Sequence, residues 1–354
     1  MSDSNPTLLR VDRRKPGRHA IEQAASVLRQ GSLAILPTDT VYGVAADPAV
    51  PGALDRIYEA KARDRGKPIP FLVADLAEVA RAGAVMGWRA RRLARRYWPG
   101  PLTLVLRTSE GYEGFRIPNH PVTLAVLRAV GGILRVTSAN RSGEPAACDA
   151  STAAAALAGH VGIVLDAGPA PLGAESTVVQ EDGDTLTILR QGALPVEAIH
   201  ARPLVVMVCT GNICRSPMAE HLLRHWLGPD SPWDVRSAGV GAVGGEPPSE
   251  EAVIALADKG ISAVHHRSQL LDQGLVDAAD FIVVMTDDHR RIVQKRFPGV
   301  HGRVFLLKSF GPAGRDEDID DPIGQSVDVY RDVRDEMNAV MPDLVLHLHE
   351  WLAG

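Results

Sequence analysis

The segment CTGNICRS, residues 209–216, most constrains the fold of this chain. It follows the apolar run Leu204–Val208 and precedes a helical pattern that opens at Ser216-Pro217. This order predicts a strand, a tight loop and a helix N-terminus, where backbone N–H groups converge on one point and favour a dianion. A helix dipole and a guanidinium would stabilise a thiolate there, so Cys209 is a candidate nucleophile. Arg215 supplies a planar fork for two phosphate oxygens.

Strand and helix signals alternate along both halves of the chain. In the first half they predict helices near 18–30 and 52–63, and strands near 33–37, 69–74, 102–107, 133–137, 162–165, 175–180 and 185–190, with further helices between the strands at 69–74 and 102–107. In the second half they predict helices near 216–227, 249–259, 287–296 and from about 326, and strands near 204–208, 233–237, 280–285 and 303–307. The pattern favours α/β domains, the second a doubly wound parallel sheet.

The length of 354 residues favours two domains. We predict one at 1–202 and one at 203–354, with a short join near Ala201–Pro203. The three cysteines cannot form a disulfide framework, and two lie in the phosphate-binding segment, which suits a reducing compartment. The sequence contains neither a signal-peptide pattern nor an apolar run long enough to span a membrane, so we expect a cytoplasmic protein. The net charge of −5 does not favour nucleic-acid binding.

Residues 204–354 resemble the low-molecular-weight protein-tyrosine phosphatases. The likeness lies in VCTGNICRSPMAE, in RSAG at 236–239 and in Asp321-Pro322. It implies that Cys209 attacks phosphorus, Arg215 binds phosphate, and Asp321 is general acid and then base, with no cofactor. It also implies a supporting set: Asn212 for the loop backbone, Ser216 for the thiolate, Ser237 to brace Asn212, and Cys214 as a reversible disulfide partner of Cys209. Without the resemblance, the acidic segment at 315–322 is more typical of a solvated turn.

The phosphatase substrate stays open between phosphotyrosine and phosphoarginine proteins. MTDDH at 285–289 and SVDVYRDVRDEM at 326–337 resemble bacterial protein-arginine phosphatases. Those enzymes place Thr after the loop Asn, whereas this chain has Ile213, as tyrosine phosphatases do. Conversely, Ile323 stands where tyrosine phosphatases usually have an aromatic residue, and the segment at 240–248 contains no ring to stack on a phenyl group. A redox-sensing scaffold that uses the two loop cysteines is a further possibility.

Small hydroxyl residues and cations recur at predicted strand ends in the first half. They occur in PTDTVYG at 37–43, KAR at 61–63, WPGPLT at 98–103, SAN at 138–140 and STVV at 176–179. Strand ends are where α/β folds bind ligands. Cations and hydroxyls without an evident nucleophile suit nucleoside triphosphate chemistry, which is largely positioning and charge neutralisation.

In motif order and spacing, residues 17–200 resemble the YrdC-type threonylcarbamoyl-AMP synthases, which implies a twisted α/β sheet domain. Such enzymes condense ATP, bicarbonate and L-threonine and release pyrophosphate, and a separate transferase uses the product to modify tRNA. The resemblance implies that Mg²⁺ accompanies ATP. It assigns ATP to Lys61, Arg63, Lys67, Asn140 and Arg190, and it assigns threonine to Thr40, Arg116, Ser138 and Ser176.

Two positions depart from the synthase pattern. Leu72 replaces a His that contacts threonine in many members, and Cys148 replaces a common Thr at the nucleotide. The longer synthases carry an extra C-terminal domain, whose place the phosphatase-like half takes here. A competing hypothesis is that the first half is a nucleotide- or RNA-binding module that has lost catalysis. The complete set of Lys61, Arg63, Ser138 and Asn140 argues for the enzyme.

Overall fold

The chain folds into two compact units. The computed structural model describes residues 6–300, 302–311, 314 and 317–353. The first unit ends at His200 and the second is Ala201–Ala353. Each unit has its own sheet, so each can be understood by itself. Arg315 and Asp316 of the acidic segment lie outside the described residues.

A mixed ten-stranded sheet organises the described part of the first unit. Its strands are β1 (Thr7–Arg10), β2 (Leu33–Leu36), β3 (Gly43–Ala46), β4 (Phe71–Val73), β5 (Leu102–Thr108), β6 (Gly111–Arg116), β7 (Ile133–Ser138), β8 (Val161–Asp166), β9 (Thr177–Asp182) and β10 (Thr185–Arg190). The order across the sheet is β1-β8-β2-β3-β7-β4-β6-β5-β9-β10. The helices are α1 (Arg18–Arg29), α2 (Ala53–Lys61), α3 (Leu76–Arg81), α4 (Trp88–Tyr97), α5 (Pro121–Val130), α6 (Ala150–Ala156) and α7 (Val196–His200).

Side chains of β2 alternate between two apolar layers. Leu33 and Ile35 belong to the cluster with α2 and α6, and Ala34 and Leu36 belong to the cluster with α1 and α5. Successive residues of a strand face opposite sides of a sheet, so a strand covered on both sides is apolar throughout. The polar residues Thr38, Asp39 and Thr40 accordingly come after β2 has ended.

The second unit has a parallel four-stranded sheet in the order β12-β11-β13-β14. Its strands are β11 (Leu204–Cys209), β12 (Asp234–Gly239), β13 (Phe281–Val284) and β14 (Val304–Leu306), and its helices are α8 (Arg215–Leu227), α9 (Glu250–Ala257), α10 (Gln273–Ala278), α11 (Asp287–Arg296) and α12 (Val327–Ala353), with a short 3₁₀ turn at Leu307–Phe310. Val205 and Met207 pack among residues of α8, α9 and α12, and Val206 and Val208 pack among residues of α10 and α11. Helices therefore cover both faces, as in a doubly wound sheet.

The predicted α/β class is confirmed in both units, but several elements of the first half were missed. Strand β3 is only GVAA and β6 is GYEGFR, and neither shows a long apolar or alternating run. Helix α5 is mostly apolar, which hides the helical period. The missed elements are β1, β3, β6, α5, α6, α7 and α10. Among the described residues, none of the helices is long and apolar enough to cross a membrane.

Candidate active sites

The loop between β11 and α8 has a fixed backbone. Asn212, at its centre, is buried and has a φ of 58°, a left-handed conformation that Asn adopts more readily than most residues. Its Nδ2 donates to Ser216 Oγ at 2.9 Å and to Ser237 Oγ at 2.8 Å. Its Oδ1 accepts the Gln269 N–H at 2.9 Å. Three hydrogen bonds from one side chain therefore hold the turn in shape.

The sulfur of Cys209 lies inside this loop and is surrounded by donors. It is 3.0 Å from Ser216 Oγ and accepts the Asn212 backbone N–H at 3.3 Å. Because the Asn212 amide already donates to the Ser216 oxygen, the hydroxyl hydrogen of Ser216 is available to the sulfur. Hydrogen bonds of this kind favour the thiolate, which is the nucleophilic form.

The guanidinium of Arg215 lies beside the predicted acid. Its Nη2 donates to Asp321 Oδ2 and its Nη1 donates to the Ile319 carbonyl at 3.1 Å. The Arg215 side chain is only 5% exposed, whereas that of Asp321 is 43% exposed. The Nε–H of Arg215 is buried and has no hydrogen-bond partner among the described residues. A donor of this kind fits an anion in the loop, since buried polar groups are normally paired.

Cys214 is held away from the loop surface by a tyrosine. Its Sγ lies 3.2 Å from the Tyr330 hydroxyl of α12, and it is buried. Burial raises the pKa of the Cys214 thiol. Cys209 and Cys214 are both free thiols in the structure. The disulfide implied by the resemblance stays a prediction.

His289 contacts this site and was not assigned a role from the sequence. Its Nε2 lies 2.9 Å from Thr210 Oγ1, and its Nδ1 lies 2.8 Å from Thr286 Oγ1. Burial, and then the charge of Arg215, lower the pKa of His289 to about 4, so the ring is neutral near pH 7. His289 is the last residue of the MTDDH stretch at 285–289, and that stretch could have indicated its role.

A cavity of about 400 Å³ opens at one end of the first sheet. The strands β6, β7 and β10 end there, and β3, β5 and β9 begin there. This arrangement arises because β6, β7 and β10 are antiparallel to β5, β3 and β9, respectively, while β5 and β9 are parallel. Six predicted binding residues line the cavity: Thr40, Arg63, Arg116, Ser138, Ser176 and Arg190. The volume lies within the range typical of small-molecule sites.

Arg116 lies on the cavity wall and is fixed by three partners. Its Nη2 donates to Asp39 Oδ1 at 2.6 Å, its Nη1 to Thr40 Oγ1 at 2.7 Å and its Nε to the Gly100 carbonyl at 2.9 Å. Both charged side chains of this ion pair are 7% exposed. Arg116 keeps two further N–H groups for a ligand. Asp39 was missed as a site residue, although it lies inside the PTDTVYG motif.

Ser176 and Arg190 form a second polar group on the cavity wall. Arg190 donates to the Ser176 carbonyl at 2.9 Å and to its hydroxyl at 3.1 Å, and it pairs with Glu175 at 2.8 Å. The Ser176 hydroxyl also lies 2.9 Å from that of Thr103. This part of the cavity combines one cation with two hydroxyls.

Lys61, Lys67 and Asn140 are placed differently from the prediction, because none of them lines the cavity. Lys61 is 1% exposed, and its ammonium donates to the carbonyls of Ser138 and Asn140 and to Asn140 Oδ1. Its three protons are thereby satisfied by the loop that follows β7. The carbonyl of Lys67 accepts from Arg63 at 3.1 Å. Lys61 thus supports the loop that follows β7 in this structure.

Comparisons with known proteins match one family to each of the two units. A family model of Sua5, YciO and YrdC proteins, described as "Telomere recombination", matches residues 26–192, and one for "Low molecular weight phosphotyrosine protein phosphatase" matches residues 204–352. A putative threonylcarbamoyl-AMP synthase of Mycobacterium tuberculosis is 38% identical over 51% of this chain and 87% of its own length. A protein-arginine-phosphatase of Geobacillus stearothermophilus is 41% identical over 40% of this chain and 92% of its own length.

The chain belongs to both families. Its first part is a YrdC-type threonylcarbamoyl-AMP synthase domain and its second part is a low-molecular-weight protein phosphatase domain. The threonylcarbamoyl-AMP synthase of Bacillus subtilis is 36% identical over 51% of this chain, and the chain spans 56% of the length of that relative.

Leu72 and Cys148, the two positions at which the synthase domain departs from its family pattern, lie in different places. Leu72 is buried in β4 and lines the cavity, so it replaces a polar group with an apolar one on the wall. Cys148 does not line the cavity, and its Sγ lies 3.8 Å from the carbonyls of Ala146 and Gly173. In the phosphatase domain, Ile213 is half-buried against the core, and Ile323 is 59% exposed.

Proposed function

We propose that this chain is a bifunctional enzyme. Residues 1–202 synthesise L-threonylcarbamoyl-AMP from ATP, bicarbonate and L-threonine, and residues 203–354 are a cysteine-dependent protein phosphatase. The observation that carries the proposal is that each unit has a polar site and that each unit matches one of the two families. The product of the first activity serves tRNA modification through a separate transferase.

In the synthase domain, the cavity provides places for two of the three substrates, threonine and ATP. The two free N–H groups of Arg116 suit the carboxylate of threonine, and the hydroxyls of Thr40, Ser138 and Ser176 surround it. Arg63 and Arg190 provide positive charge for the triphosphate. The one carboxylate on the cavity wall among the described residues, Glu175, is paired with Arg190. Mg²⁺ would therefore be held chiefly by the phosphates of ATP, as is usual for this ion.

Pyrophosphate release tests the synthase activity. The purified chain should release pyrophosphate from ATP and Mg²⁺ only when threonine and bicarbonate are both present. Release that does not depend on threonine, or no release, would contradict the proposal. If the unaltered chain binds ATP but shows no turnover, the domain is a binding module instead, whereas a Lys61→Ala variant that loses turnover and still binds ATP supports the enzyme.

In the phosphatase domain, the geometry supports two-step transfer. The Cys209 thiolate would form a bond to phosphorus while the bond to the leaving oxygen or nitrogen breaks, and Asp321 would supply the proton to that atom. Arg215 and the loop N–H groups would stabilise the charge on the transferred group. Asp321 would then take a proton from the water that hydrolyses the phosphocysteine. No metal or organic cofactor takes part in these steps.

The substrate is a phosphotyrosine or a phosphoarginine protein, and we favour phosphoarginine. The Geobacillus relative is an arginine phosphatase, and no aromatic residue stands at Ile323 to contact a phenyl ring. Initial rates on matched phosphoarginine and phosphotyrosine peptides test this preference. A higher kcat/KM on the phosphotyrosine peptide would overturn it without affecting the phosphatase assignment.

A further inference from the structure

A histidine cluster lies beneath the phosphate loop and has no part in the chemistry above. Glu220 and His221 are neighbours on α8, and His266 lies on the segment between α9 and α10. A carboxylate oxygen of Glu220 and one ring nitrogen from each histidine lie within 4.8 Å of one another. The side chains of Glu220 and His266 are 7% and 5% exposed, so water covers little of this cluster.

The tautomer of His266 follows from its partner. Its Nε2 lies 2.9 Å from the backbone carbonyl oxygen of Asn212, which can only accept, so Nε2 carries the hydrogen. When the ring is neutral, the lone pair is on Nδ1. That nitrogen lies 3.7 Å from Glu220 Oε2, which is too long for a hydrogen bond. The Nδ1 atom of His266 and a carboxylate oxygen of Glu220 therefore face each other in a buried place without a hydrogen bond between them.

His221 adds a third electron-rich atom. Its Nε2 is buried and has no hydrogen-bond partner among the described residues. The rings of His221 and His266 meet edge to face with centroids 6.3 Å apart.

We propose that Glu220, His221 and His266 form a binding site for a divalent transition metal ion, for which Zn²⁺ is the best match. Two imidazoles and one carboxylate are a common zinc donor set, with water as the fourth ligand. Zinc bonds are about 2.0–2.2 Å long, so the distances between the three donor atoms must shorten by about an ångström. Small side-chain rotations can supply this change.

The surroundings of the cluster match the outer contacts of metal sites. Metal-binding histidines usually donate their other N–H to a carbonyl or carboxylate, as His266 does to Asn212. Ligating carboxylates are themselves hydrogen-bonded, and Glu220 accepts from the Ser237 hydroxyl and from Arg224 at 2.6 Å. The positive charge of Arg224 opposes the metal, but its side chain is 48% exposed and solvent screens it.

Calorimetric titration with Zn²⁺ alone tests the site. The full chain with Cys209→Ser should bind one equivalent of Zn²⁺, since this background removes the reactive thiolate. In that background, His221→Ala should weaken binding by at least about tenfold, because even outer-shell partners contribute that much. His265→Ala is the matched control, since His265 is the exposed neighbour of His266 and should leave affinity unchanged. No binding, or equal affinity in the two histidine variants, would overturn the proposal.

The absorption spectrum of bound Co²⁺ gives a second test that needs no histidine variant. Cobalt in the Cys209→Ser chain should show visible d–d bands of a tetrahedral nitrogen and oxygen site. A strong near-ultraviolet charge-transfer band from sulfur would place the metal on a cysteine and would also overturn the proposal. Both tests are independent of phosphatase and synthase turnover, so their failure leaves the proposed function intact.

Discussion

The two candidate sites are built in opposite ways. In the phosphatase domain, one loop of consecutive residues carries the nucleophile, the phosphate-binding cation and the supporting amide, and Asp321 alone comes from far along the chain. In the synthase domain, the cavity residues come from separate strand ends between Thr40 and Arg190. The loop is fixed mainly by the hydrogen bonds of Asn212, whereas the relative positions of the cavity residues depend on the whole sheet. Their responses to mutation should therefore differ.

Replacement of the nucleophile should have the largest effect. It should remove the phosphatase activity and leave the synthase activity unchanged. Cys209→Ser should lower hydrolysis of an aryl phosphate by at least about 10³-fold, because the thiolate is lost while the loop is kept. Pyrophosphate release by the synthase domain should stay unchanged. Cys214→Ser is the control and should retain most of the hydrolysis. Comparable hydrolysis by Cys209→Ser and the unaltered chain would remove the covalent mechanism.

Loss of the buried ion pair should damage the dispersed site through folding. Arg116→Met leaves the Asp39 carboxylate buried without its partner, which should lower the free energy of unfolding of the first unit by about 3–5 kcal/mol. Chemical denaturation followed separately in the two units measures this, with the second unit as internal reference. The double variant with Asp39→Asn should recover part of the loss. A double variant no more stable than Arg116→Met would show that charge burial is not the cause.

The pH dependence of the two activities should diverge above about pH 8. Burial, and then the charge of Arg63, lower the pKa of Lys61 to about 8, so its ammonium is present below that pH and is lost above it. A neutral amine donates one hydrogen bond fewer to the loop after β7, so pyrophosphate release should fall as pH rises. The free energy of unfolding of the first unit should instead rise toward pH 10.5, since the unfolded state then binds more protons. Lys61→Met should remove both trends, and a falling limb that survives this change belongs to another group.

Exchange of one loop side chain should give the smallest effect. Ile213→Thr introduces a hydroxyl where arginine phosphatases carry one, and we expect the ratio of phosphoarginine to phosphotyrosine kcat/KM to rise by about three- to tenfold. Ile254→Thr is the matched control, because Ile254 is exposed on α9 outside the loop, and it should leave the ratio unchanged. Equal ratios in all three proteins would show that Ile213 does not select the substrate.

The sequence predicted the contiguous site better than the dispersed one. Strand, loop and helix around Cys209 follow from local patterns, and the structure brings Asn212, Ser216 and Ser237 together as expected. Lys61 shows the limit, because whether a lysine at a helix end faces a ligand or the next loop depends on where that loop passes. Asp39 and His289 were missed for the same reason, since their partners Arg116 and Thr210 are distant in sequence. Assigning roles to these residues still requires the experiments above.

The left-handed turn at Asn212 has a consequence for how the phosphatase domain evolves. Its conformational cost is met once, during folding, so each arriving phosphate meets donors that are already aimed and loses little freedom. Asn212→Gly would relax the backbone, but it would also remove the hydrogen bonds to Ser216, Ser237 and the Gln269 N–H, which are buried groups that need a partner. Variants selected only for heat resistance should therefore keep asparagine at 212, so selection for stability also preserves the aimed donors.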